Sequence, residues 1–231
     1  LIADASFVRD HCGWVTMLNI PDLLRLPLRS WEACALTSAI FPASIPHLRS
    51  VDMSPTAPLP MLDTLARAGL SEVLVIAGDP PEDMRHVAYS VSSIDLIRRL
   101  KREAPHLRVY AAVDPYRQNF RNEREYISRK LDAGADGFFT QPFFDLRLVE
   151  MYAELLESQI VFWGISPVTT AGSRSYWETR NNAIFPADFR PTLEWNIAFA
   201  QRLLAFVRQE NSNAYVMPIR IQLNNYLPHL A

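Results

Sequence analysis

An α/β fold of parallel strands, a (β/α)8 TIM barrel lacking its first strand, is what the sequence predicts. Three observations predict it. Seven short apolar segments alternate with helical ones, the connections between them are short, and no Gly-x-Gly-x-x-Gly follows a strand to mark the crevice of an open doubly wound sheet. Parallel neighbours need a crossover, and the intervening helices supply it. Seven is one short of a closed barrel, and the chain begins with the end of a helix, so the absent strand should lie upstream of Leu1. The expected organisation is a single barrel domain over residues 1–231, N-terminally incomplete.

Leu1 to His11 has helical spacing at Leu1, Ala5 and Val8, and Gly13 ends it. Trp14 to Leu18 is a compact apolar strand, closed by the loop Asn19-Ile-Pro-Asp22. Pro27 to Ile40 reads as a helix capped by Ser30, and Ile45 to Val51 as a strand containing His47. From Pro58 a helix presents Leu59, Leu62, Leu65 and Ala66 on one face and stops at Gly69. Glu72 to Ala77 is almost wholly apolar, as in a strand buried on both faces, and Gly78-Asp79-Pro80-Pro81 follows it. Ser93 to Glu103 is a helix with Ile94, Ile97 and Leu100 inward and Arg98, Arg99, Lys101 and Arg102 on a solvated face.

Leu107 to Val113 is the next strand and Asn119 to Ala133 the next helix. The segment Asp132-Ala-Gly-Ala-Asp-Gly-Phe-Phe-Thr-Gln-Pro-Phe-Phe-Asp145 then turns on Gly134, runs as a strand from Gly137 to Thr140, and presents the Gln141 amide where Pro142 stops the ladder. Leu146 to Leu156 is helical and Ile160 to Ile165 a strand closed by Ser166-Pro167. Ala171 to Arg190 lacks apolar periodicity and reads as a long irregular segment, a form often tied to function. Thr192 to Gln209 is an amphipathic helix, and Ala214 to Ile219 a last strand with Arg220 just beyond.

A net charge of -2 argues against nucleic acid as a partner, and no apolar run approaches the roughly 18 residues of a membrane span. Cys12 and Cys34 sit in apolar surroundings without ligand spacing, which fits reduced packing thiols, a cytoplasmic location and no metal centre. Leu1 opens the chain with neither an initiator Met nor a signal-peptide pattern.

The candidate site residues are polar groups at the carboxyl ends of apolar strands, where barrels of this kind handle ligands. Asp79 stands at the carboxyl end of a strand read as buried, although Asp79-Pro-Pro-Glu82 also has the form of a helix start. Gln141 holds an equivalent place, and its amide offers one acceptor and two donors to a planar heterocycle, or else satisfies its own loop. His47 is either a ligand contact or a structural histidine. Arg129 and Lys130 suit a helix C-terminus with or without an anion.

Together these segments resemble the methylenetetrahydrofolate reductase family, (β/α)8 barrels that usually bind FAD. The segment from Asp132 to Asp145 is similar to the family's Asp-Ala-Gly-Ala followed by Thr-Gln-Phe-Phe-Phe-Asp. Gly78-Asp79-Pro80-Pro81 resembles its Gly-Asp-x-Pro loop, Pro46-His47-Leu48 its Pro-His-Leu strand, and Gly164-Ile-Ser-Pro-Val168 its Gly-Ile-x-Pro-Val strand end. Order and spacing agree from about Trp14 to Arg220.

The resemblance implies an oxidoreductase of one-carbon and methionine metabolism. It would reduce 5,10-methylenetetrahydrofolate to 5-methyltetrahydrofolate, with NADH or NADPH as hydride source and FAD as relay. It makes Asp79 catalytic and, with Gln141 and Arg220, folate-binding, and it places His47, Gly78, Asp79, Ser93, Glu123, Arg129 and Lys130 against FAD. Asp79 and Gln141 are expected to grip the pterin at one barrel mouth. This chain departs from the family at Leu18, Ala77 and Tyr126, each replacing a polar contact to flavin, and it lacks the Phe-Glu-Phe-like first-strand motif that carries the family's catalytic glutamate. Two alternatives follow from those departures: a flavin-independent reductase, and a folate-binding barrel without redox activity. The reading leaves homo-oligomerisation open.

Overall fold

The computed structural model describes residues 1–79 and 87–230. It divides into two compact units: Leu1–Ala112 with Ser128–Gly137, and Val113–Ile127 with Phe138–Ala231. Both are α/β, and every pairing described within each is parallel.

In the first unit β1 (Leu18–Ile20), β2 (Ser44–Arg49), β3 (Glu72–Ile76) and β4 (Arg108–Val113) pair in chain order. Helices α1 (Ile2–His11), α2 (Ser30–Thr37), α3 (Leu62–Ala68) and α4 (Ser93–Glu103) connect or precede them. Val73, Val75 and Leu48 are fully buried, as continuous apolar strands require. Gly69 ends α3 at φ +67°, a left-handed conformation that costs glycine nothing. The Ser92 hydroxyl accepts from the Asp95 amide at 3.2 Å, and the Asp95 carboxylate in turn accepts from the Ser92 amide, so α4 starts where its apolar periodicity starts.

The second unit holds the start of α5 (Phe120–Asp132), then β5 (Gly137–Pro142), α6 (Leu146–Leu155), β6 (Val161–Ile165), α7 (Ala171–Asn181), α8 (Leu193–Gln209) and β7 (Asn213–Val216). β5 pairs β6 and β6 pairs β7. Phe139 stacks on Phe162 across β5 and β6 with ring centroids 4.2 Å apart. A separate aromatic core of Tyr116, Phe144, Trp177 and Phe189 packs under α7 and α8.

Several expectations are corrected. The first strand is not Trp14 to Leu18 but Leu18–Ile20, because its ladder is set by Ser44, Ile45 and Pro46 of β2; Trp14 is 36% exposed. Ser30 is the first residue of α2 rather than its cap, and the buried Asp22 carboxylate accepts from the Ser30 amide at 3.2 Å. β5 does end at Pro142, but it runs two residues past Thr140 and includes Pro142, which after an irregularity beyond Phe139 pairs with Gly164. Ala171 to Arg190 is helical over its first part, with Thr170 as cap and an Arg174–Glu178 pair along it. The last strand ends at Val216. The helix start read at Asp79-Pro-Pro-Glu82 lies outside the described residues beyond Asp79.

The basic run on α4 is only half solvated. Arg98 and Arg102 are exposed, but the Arg99 guanidinium donates to the carbonyls of Ser54 and Ala57, and Lys101 Nζ to the Asp136 carboxylate and the Leu107 carbonyl.

Candidate active site

The first unit gathers four of the expected residues around the carboxyl ends of β2 and β3. His47 pairs with Leu74 and Arg49 with Ile76, so β2 lies alongside the strand that delivers Gly78 and Asp79. The Ser50 hydroxyl donates to the Val91 carbonyl at 2.8 Å, which draws the start of α4, and with it buried Ser93, to the same end. Asp79 is exposed just past β3. Gly78 turns the chain there at φ +82°, and a β-carbon on it would meet Arg49 Cβ and Val51 Cγ2, each at 3.1 Å. Both facts demand glycine.

His47 carries the clearest sign of a ligand. Its Nε2 is buried and has no hydrogen-bond partner, a state that costs stability unless something is meant to fill it. Burial pushes its pKa down to about 4 against a weaker upward pull from Asp22, so the ring is neutral near pH 7. The side-chain amide nitrogen of Asn19 is likewise buried without a partner. Asn19 pairs with Ile45, two residues before His47, so both side chains lie on one face of the β1–β2 ladder. Sequence reasoning placed Asn19 in a loop and missed it; a polar residue at a strand's carboxyl end was the available signal.

A second group went unforeseen. Arg49, 8% exposed, donates from Nη2 to the Asp79 carbonyl at 2.5 Å and from Nε to the Asp52 carboxylate at 3.0 Å. It ties the Asp79 loop to the neighbouring strand. The two cations of α5 differ from each other: Lys130 is buried and its Nζ donates to the Ala112 carbonyl at 2.5 Å, whereas Arg129 is exposed. Leu18 and Ala77, where a polar flavin contact was expected, are both partly buried.

In the second unit Gln141 sits partly buried near the end of β5. Gly164 lies against its main chain, and the Thr140 hydroxyl accepts from the Gly164 amide at 2.9 Å. Glu123 is 2% exposed, and its carboxylate accepts from the Asp114 amide at 3.3 Å and the Gln118 side chain at 2.5 Å. Those bonds use acceptor capacity on both oxygens. Arg220 lies past β7 with its guanidinium 5.9 Å from the centre of the Tyr176 ring. Asn196, buried on α8, brackets the loop after β6, accepting from the Val168 amide at 2.8 Å and donating to the Val168 carbonyl at 2.9 Å.

An exposed carboxylate, a neutral imidazole and an amide, the last two with unfilled hydrogen-bonding capacity, can hold a flat heterocycle by its polar edges. A neutral imidazole nitrogen and an amide nitrogen are of the chemical kind that can meet the donors and acceptors on a flavin's polar edge. Among the described residues no group of three or more His, Cys, Asp or Glu side chains is placed to hold a metal ion, and no helix is long and apolar enough to cross a membrane.

Known proteins resemble this one in two ways. Among solved structures, an oxaloacetate acetylhydrolase has a TM-score of 0.58 at 11% identity, covering 93% of this chain and 72% of its own. An oxaloacetate acetylhydrolase in complex with the product oxalate has 0.55 at 12%, covering 90% and 89%. The 2,3-dimethylmalate lyase, a PEP mutase/isocitrate lyase superfamily member, has 0.53 at 11%, covering 83% of this chain and 58% of its own. At such identities the likeness is one of fold. In sequence, the 5,10-methylenetetrahydrofolate reductase of Buchnera aphidicola subsp. Acyrthosiphon pisum (strain APS) is 24% identical over 148 residues, 61% of this chain. Those residues span 50% of that relative's length. Residues 29–198 match the methylenetetrahydrofolate reductase family, and with most of its length inside that match the chain belongs to this family.

Proposed function

We propose that the protein reduces 5,10-methylenetetrahydrofolate to 5-methyltetrahydrofolate with NADH or NADPH, on a (β/α)8 barrel acting as one domain in a reducing, cytoplasmic compartment. Family membership supports the reaction, and the observation that carries the site is the buried, unpartnered Nε2 of His47 beside the strand that leads to Asp79. Asp79 accepts two hydrogen bonds from the amino-pyrimidine edge of the pterin, and Gln141 is a folate-binding amide of the second unit. Arg220 is the folate contact the structure supports least, since its guanidinium faces Tyr176.

Bound FAD would relay hydride from the nicotinamide to the folate. His47 and Asn19 would meet the flavin's polar edge, Gly78 would let it approach the main chain, Ser93 and Glu123 would lie along it, and Arg129 and Lys130 would face its diphosphate or ribose. The substitutions Leu18, Ala77 and Tyr126 favour a second reading, direct transfer from nicotinamide to folate without flavin. Folate binding without turnover is a third.

The test is a spectrum. The full chain loaded with FAD should bleach near the flavin bands on adding reduced nicotinamide and recover on adding the folate. Asp79→Asn should slow the recovery at least tenfold and slow the bleaching far less. Turnover by flavin-stripped protein selects the second reading, and a chain that binds neither FAD nor folate overturns the proposal.

A further inference from the structure

The first unit contains a chain of alternating charges that the family resemblance does not call for. The Asp22 carboxylate, whose side chain has 0% exposure, accepts from Arg29 Nε at 3.0 Å and from Arg29 Nη2 at 2.5 Å. Arg29 Nη2 also donates to the Asp52 carboxylate at 2.9 Å, and the same Asp52 oxygen accepts from Arg49 Nε at 3.0 Å. The run ends on an uncharged atom, the Asp79 carbonyl, reached by Arg49 Nη2.

Each charge in this series faces an opposite one, which is the condition under which buried ions are tolerated. Asp52 and Arg49 keep only 8% and 10% side-chain exposure, and Arg29 is sandwiched further by Trp31, whose ring centre is 4.6 Å from its guanidinium carbon. Replacing such a pair by apolar residues of the same size is often neutral or stabilising, so stability alone is a weak reason for it. Geometry is a better one. The members come from the loop after β1, the start of α2, the end of β2 and the turn beyond it, and they converge on the peptide that carries Asp79. A guanidinium held by Asp52 on one edge has little freedom left in aiming the other.

We propose that Asp22, Arg29, Asp52 and Arg49 form a positioning relay that fixes the Asp79 main chain, and through it the direction of the Asp79 carboxylate toward the pterin. Arg49 is the positioning residue in contact with the loop; it does not touch substrate in this proposal. The inference rests on the folate-binding role proposed for Asp79.

The control is built into the same unit. Arg99 also spans two loop carbonyls, donating to Ser54 and Ala57 at 2.6 and 2.5 Å, with 12% side-chain exposure, and it does not reach Asp79. Arg49→Ala, Arg49→Lys and Arg99→Ala of the full chain are compared by calorimetric titration with 5-methyltetrahydrofolate, thermal unfolding, and hydrogen exchange of a peptide ending at Asp79. Arg49→Ala should weaken folate binding about tenfold, equivalent to ~1.4 kcal/mol, and quicken exchange at residues 77–79. Millimolar guanidinium should restore part of the affinity. Arg49→Lys, which keeps the charge but not the fork, should fall between and serves if Arg49→Ala does not fold. Arg99→Ala should lower the unfolding temperature comparably and change folate affinity less than about twofold.

Unchanged folate affinity in Arg49→Ala, or an equal loss in Arg99→Ala, overturns the relay. If the unmutated chain binds no folate, the function proposed for Asp79 fails, and exchange at residues 77–79 then decides by itself whether Arg49 fixes the loop.

Discussion

Gly164 on β6 lies so close to Gln141 that a β-carbon added to it would sit 3.0 Å from the Gln141 carbonyl carbon, 2.8 Å from the Thr140 oxygen and 2.9 Å from the Pro142 nitrogen. All three are main-chain atoms of β5 and cannot rotate away. Gly164→Ala should therefore push β5 outward and cost about 1–3 kcal/mol, the usual penalty of overpacking. Urea unfolding measures the cost, and folate affinity should fall with it because Gln141 rides on the displaced strand. Gly172→Ala is the contrast: nothing lies within 4 Å of that position on α7, so helix propensity should leave the protein as stable or more so.

The buried imidazole of His47 makes stability depend on pH in a definite direction. Its folded pKa of about 4 lies below the ordinary 6.5, chiefly through burial with Asp22 opposing, so the unfolded chain binds the proton first. Its share of stability is intact above pH 6.5, declines as pH falls, and is fully lost below about pH 4. Between pH 7.5 and 4.5 the unmutated protein should lose roughly 2–3 kcal/mol more than His47→Gln in urea unfolding at 25 °C. Identical pH dependence in the two proteins would mean that His47 is not held neutral by burial.

The elements most legible in the sequence are those whose local and tertiary preferences agree. The helix expected from Ser93 to Glu103 has those bounds, because a cap, an apolar stripe and a stop coincide. The strand through Val73, Leu74 and Val75 is apolar on both faces and stands within one residue of its expected end. Where the two preferences part, the sequence misleads. The apolar run at Trp14 looks more strand-like than Leu18-Asn19-Ile20, yet only the latter finds a partner in β2. α7 buries only Trp177 fully among its residues, so it shows no apolar period, and its signals are the Thr170 cap and the charged pair four residues apart. The candidate site was legible only as residue types near strand ends, such as His47 and Asp79. The bond from Arg49 to the Asp79 carbonyl was not, since it joins a side chain to a main-chain atom 30 positions away, and any residue has a carbonyl.

Asn196 offers a test of how the Gly-Ile-Ser-Pro-Val segment after β6 is held. Its side chain is 3% exposed and makes three bonds, accepting from the Val168 amide and donating to the carbonyls of Val168 and, at 2.7 Å, Thr192. Asn196→Leu has similar volume but leaves the Val168 amide and carbonyl buried without these partners, which should cost about 2–4 kcal/mol. Asn196→Asp keeps the acceptor for the Val168 amide and aims a carboxylate at two carbonyl oxygens. Burial and those oxygens favour its protonated form, so its folded pKa should stand above that in the unfolded chain. A raised carboxyl contributes fully at low pH and loses that contribution as pH climbs. Measured against the unmutated protein at each pH, so that shared titrations cancel, the deficit of Asn196→Asp should widen from pH 4 to pH 7, while that of Asn196→Leu stays flat. Equal, pH-independent deficits would show that the loop is held by packing against α8 and not by this amide.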